Sequence, residues 1–151
     1  MDTGWPSRTE YADLLWRFRY RTLPKVSWTH AAHLAVGLWH VRRFGPERAL
    51  ILLRTRIRQL NDTHGTSNTD SSGYHETITR AYVVLIAALL GTLAPATPAV
   101  DAARVLFSSP LCARDALLAY YSKERLMSVE ARRRWVEPDL HPLVVEEGAR
   151  A

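Results

Sequence analysis

Residues 27–44, SWTHAAHLAVGLWHVRRF, decide the fold class. Ser27 has the side chain of an N-cap, and Gly45-Pro46 follows as a stop. Between them Leu34, Leu38 and Val41 recur at spacings of four and three, which is the period of a helix and not of a strand. Working outward, the same period returns. Residues 10–20 place Tyr11, Leu14, Leu15 and Phe18 on one face before Pro24. Residues 47–60 carry Leu50, Leu53 and Ile57. Ser72 or Gly73 is expected to open a long helix to about Leu93, and residues 99–107, 110–122 and 128–135 complete the set. Pro110 suits a first helical position, and Ser128 is a simple cap. Strand-like alternation is absent nearly everywhere. The expectation is an all-α, single-domain bundle of about six or seven helices.

That domain takes in residues 1–151, with a loop near 61–73 (NDTHGTSNTDSSG) and an irregular tail from about residue 137 that frays in the charged stretch 146–151. A chain of 151 residues buries one sizeable core and is too short for a two-domain cofactor enzyme. The single cysteine, Cys112, excludes an internal disulfide and a cysteine-based zinc cluster. The net charge of +5 permits an acidic partner without requiring one. Residues 1–20 contain no apolar core of a secretory signal. The most apolar run, 81–90, falls short of the ~20 residues of a membrane span. A cytoplasmic location without membrane contact is the resulting expectation. Trp5, Trp16 and Trp135 are candidates for a homodimer face.

The chemistry-bearing residues are the histidines. His30 and His33 stand three apart, on one helix face beside apolar residues. Buried imidazoles need partners, and one metal ion would satisfy both at once. His75 and Glu76 open the long helix, where the dipole keeps imidazole neutral and fit to ligate. His30, His33, His75 and Glu76 are therefore the candidate ligands of a divalent ion, Zn, Fe or Mn. Thr79, one turn beyond His75, is a candidate to orient it. The competing reading makes His30 and His33 core histidines bonded to backbone or to Glu76, and His75 a mere first-turn residue. His40 lies near the same face, but Arg42 and Arg43 beside it suggest the surface. His64 is read as an exposed or lid residue of the loop, and His141 as structural.

Three segments carry a resemblance: WTHAAHL (28–34), GYHETIT (73–79) and YYSKERLMSVEARRRWVEPDL (120–140). They resemble a family of small bacterial proteins with the pattern HxxHL, N-x-x-x-G, GYHETxT, YSxxxLxSxxAR and PDL. The N-x-x-x-G element reads Asn61 to Gly65 here. The resemblance extends over most of the chain from Trp28 to Leu143. It implies one module built from the histidine-bearing and C-terminal segments, and no particular reaction.

Arg54 and Arg58 share a helix face and are candidates for binding a substrate carboxylate, whereas Arg56 reads as a solvated cation. The substrate-binding set is Arg58, Asn61, Tyr74 and Tyr120. The catalytic set is Glu76, His75 and Tyr121, with Glu76 as base or ligand and Tyr121 as proton donor. The run Arg132 to Arg134 reads as a solvated face anchored by Trp135, and no recognition helix for nucleic acid is evident. No Gly-rich phosphate loop and no G-x-S-x-G elbow is present. These readings point to a small metal-dependent enzyme. It would transform a small organic substrate, carboxylates among the candidates, by hydration, elimination, isomerisation or oxidation. A metal-free His/Glu acid–base enzyme for condensation, cyclisation or dehydration is the alternative. A basic, non-enzymatic module binding an acidic protein or nucleic acid is the third.

Overall fold

The computed structural model describes residues 5–143. Among them are seven α-helices, three short 3₁₀ turns and no strand. The order is α1 (Arg8–Arg19), α2 (His30–Phe44), α3 (Pro46–Thr63), α4 (Glu76–Gly91), α5 (Ala99–Phe107), α6 (Lys123–Leu126) and α7 (Val129–Arg133). The charged stretch 146–151 lies outside the described residues. No described helix is long and apolar enough to cross a membrane.

Helix α1 starts in a capping box, with Ser7 and Glu10 each satisfying the other's backbone N–H. It buries Tyr11, Leu14, Leu15 and Phe18, as its period predicts. Helix α2 starts two residues later than Ser27 suggests. Pro24 leads into a 3₁₀ turn over Lys25–Ser27, and Thr29 becomes the cap, accepting from the Ala32 N–H. His30 and His33 consequently sit in the first turn of α2.

Helices α2, α3 and α4 form the central layer, packed on one another more extensively than any other group. Gly37 of α2 lets α4 approach closely. A Cβ there would stand 3.3 Å from the Ile86 side chain. The junction of α2 and α3 needs a left-handed residue, and Gly45 supplies it with φ 79° before Pro46.

Two expected elements differ. The long helix opens at His75 and not at Ser72 or Gly73. Gly73 has φ 78°, and a Cβ on it would lie 2.6 Å from the Ser67 carbonyl oxygen, so this residue is a turn and not a first helical turn. Residues 110–122 are two 3₁₀ turns, Pro110–Cys112 and Ala116–Ala119, and not one helix. Within the two turns only Leu111 and Leu117 are buried, six apart, and the position one turn after Leu111 is the charged Asp115. A helix through this stretch would turn a carboxylate toward the core.

Candidate functional site

His30 and His33 lie on the wall of a cavity of about 540 Å³ between α2, α3 and α4. The segment from Arg114 to Met127 covers its remaining side. The lining is mainly apolar: Leu53 and Ile57 from α3, Val83 and Ile86 from α4, Leu117 and Leu126 from the cover. His33 donates from Nδ1 to the Thr29 carbonyl at 2.7 Å, which makes Nε2 the lone-pair nitrogen. That nitrogen has no partner among the described residues. Trp28 stacks on the His33 ring at 3.6 Å. Burial lowers the His33 pKa to about 4, the Thr29 carbonyl only partly opposing it. The ring nonetheless has ample accessible surface. That surface opens onto the cavity. His30 reaches the Leu111 carbonyl with Nε2 at 3.4 Å and meets the Tyr82 ring edge-on at 5.7 Å. One backbone carbonyl thus serves each imidazole, and the other nitrogen of each ring has no protein partner among the described residues.

His75 and Glu76 do not join this pair. His75 is the N-cap of α4: its Nδ1 accepts from the Ile78 N–H at 3.1 Å, and its Nε2 donates to the Leu126 carbonyl at 2.8 Å. Both ring nitrogens are committed. Burial lowers its pKa, with Arg132 adding to the effect of burial. Thr79 bonds the His75 backbone carbonyl and not the ring. Glu76 takes a two-pronged ion pair from Arg54, at 2.9 and 2.6 Å, and the Tyr74 hydroxyl at 2.8 Å. Burial opposes its charge, but the Arg54 and Tyr74 hydrogen bonds outweigh it and lower its pKa. Arg54 does bind a carboxylate, and it is the protein's own. Among the described residues no three His, Cys, Asp or Glu side chains gather as a metal-ligand set.

The segment around His75 is a structural joint. Thr77 is fully buried; its hydroxyl donates to the Arg134 carbonyl and accepts from the Val136 N–H. Arg132 donates to the Gly73 carbonyl at 2.9 Å. Asn61, expected to bind substrate, donates to Asn68, whose side-chain oxygen also receives the Tyr74 N–H. Tyr74 is buried, with the Arg58 guanidinium over its ring at 4.8 Å. Tyr121, expected to donate a proton, is fully buried and donates to the Val136 carbonyl at 2.8 Å. Burial raises its pKa to about 12. Tyr120 packs against the core away from the cavity wall, and its carbonyl accepts from Leu140. None of Arg58, Asn61, Tyr74, Tyr120 or Tyr121 lines the cavity.

Three further expectations are corrected. His40 is fully buried and not near the surface, donating to the Val36 carbonyl and accepting from Arg56 at 2.8 Å. Arg56 is accordingly half-buried in the core's service and not solvated. His64 is tied to the Leu23 carbonyl at 2.7 Å. Of the three tryptophans considered for a dimer face, Trp16 is exposed, while Trp5 packs on Phe107 and Trp135 under Arg80.

The cavity also collects residues that sequence reasoning passed over: Tyr82, Arg114, Asp115 and Lys123. Tyr82 had a signal, being the one hydroxyl-bearing residue in the apolar run 81–90. Burial, then the Asp115 charge, raises its pKa to about 12, so it stays a donor. No protein-family model, no curated protein sequence and no solved structure matches the chain.

Proposed function

We propose that this chain binds a small, mainly apolar molecule in the cavity between α2 and α4, with His33 Nε2 accepting a hydrogen bond from it and the Tyr82 hydroxyl donating one. The supporting observation is the cavity itself: about 540 Å³ of mostly apolar space with an unpartnered imidazole nitrogen on its wall. The same observation weighs against a general base. A base works best with a pKa near the operating pH, and His33 is held at about 4. It accepts a hydrogen bond well and holds a proton poorly. The metal reading retains only His30 and His33, two donors where catalytic zinc sites commonly use three. Equilibrium dialysis with zinc should therefore leave the protein without a retained ion; one ion held per chain would restore that reading.

Phenylnaphthylamine, a neutral fluorophore with one N–H, is a suitable probe. Its emission should rise and saturate at one molecule per chain. His33→Ala should weaken it up to about tenfold, the worth of one hydrogen bond. Met127→Trp, at an exposed position of the cavity mouth, should obstruct it. Absence of saturable binding, or binding indifferent to both changes, overturns the proposal.

A further inference from the structure

The cavity's mouth carries charge that its interior lacks. Arg114 and Lys123 both line it and both are exposed. Among the described residues neither takes part in an ion pair. Three arginines near the motifs are engaged elsewhere: Arg54 with Glu76, Arg133 with Asp70 and Arg132 with the Gly73 carbonyl. Asp115 lines the same opening and lies close enough to Tyr82 for its charge to be felt there. Two cations against one carboxylate leave the rim with a single net positive charge. His33 adds none, since burial disfavours its charged ring. The rest of the lining is mainly apolar, with Leu117, Leu118 and Leu126 from the cover and Ile78 and Val83 from α4.

Resting on the binding reading above, we propose that the ligand is an amphipathic monocarboxylate, its head at the rim between Arg114 and Lys123 and its apolar tail along the α2–α4 wall. A single negative charge matches the rim's balance. A second one, as on a phosphate monoester, would face Asp115 without a counter-charge. The space corresponds to roughly eighteen water volumes of about 30 Å³ each, which suits a medium-length chain. A hydroxyl or N–H on that chain would meet His33.

Isothermal titration of octanoate, octanol and octyltrimethylammonium tests the charge with the tail held constant. Wild type and the double variant Arg114→Gln/Lys123→Gln are compared; both positions are exposed, so folding is not at stake. An exposed charge pair is worth up to about fivefold, so octanoate should bind about tenfold tighter than octanol. Octyltrimethylammonium should be weakest. The double variant should bring octanoate down to octanol's level and leave octanol unchanged. Equal affinities in wild type, or a preference that survives in the double variant, overturns the carboxylate assignment. If phenylnaphthylamine binds and octanoate does not, the assignment fails while the binding reading stands. If nothing binds, both fail.

Discussion

The joint around residues 73–77 and the cavity wall formed by the starts of α2 and α4 use the same side-chain chemistry to opposite ends. In the joint the polar side chains are paired within the chain: His75 by Ile78 and Leu126, Glu76 by Arg54 and Tyr74, Thr77 by Arg134 and Val136. On the wall His33 keeps one nitrogen free and Arg114 and Lys123 keep their charges unpaired. Saturated polar groups hold a fold in one arrangement, because each lost partner leaves a buried donor or acceptor unmet. Unsaturated groups facing a cavity are what a ligand can use. A cluster of His, Glu and Tyr is thus not evidence of chemistry until its hydrogen bonds are counted.

The contrast is open to attack by substitution. The largest loss is expected for Gly73→Ala, which strains a left-handed residue and pushes a methyl group toward the Ser67 carbonyl. The cost should be on the order of 3 kcal/mol in urea unfolding. Glu76→Gln should cost about 2 kcal/mol near neutral pH by weakening a charge-assisted pair. Its pH dependence has a definite sign. The folded-state pKa of Glu76 lies below its ordinary 4.5. Its contribution is therefore present above pH 4.5 and lost as pH falls through the lower folded value. The stability gap between wild type and Glu76→Gln should close over that acidic range; a gap constant with pH would mean that the pair contributes nothing through charge. His33→Ala should cost only about 1 kcal/mol, the worth of its Trp28 stacking and Thr29 hydrogen bond, while weakening ligand binding. A large destabilisation would move His33 from the wall into the joint's class. In NMR its ring should stay neutral from pH 8 down to 5, within about a unit of its lowered pKa of about 4.

The helical class was readable because apolar stripes at Leu34, Leu38 and Val41, and at Leu50, Leu53 and Ile57, depend only on local period. The pairing of His30 with His33 was readable for the same reason. Their shared wall was not, because its opposite side comes from residues 114–127, where two 3₁₀ turns replace the expected helix. That His75 and Glu76 stand apart from His30 and His33 was hidden for a different cause. Their partners, the Leu126 carbonyl and Arg54, are 51 and 22 residues away in sequence. A main-chain carbonyl leaves no mark on composition. The segments behind the family resemblance have concrete duties in the same terms: Ser122 and Ser128 cap α6 and α7, and Asp139 accepts from the Ser122 N–H.

Leu126 belongs to both regions at once. Its side chain forms part of the cavity's roof, and its carbonyl is the group on which His75 fastens. The roof is therefore tethered to the first turn of α4 and cannot swing outward as a door without unfastening that helix. Under the binding proposal, a guest would pass the exposed side chains of Leu118 and Met127 at the cavity's edge.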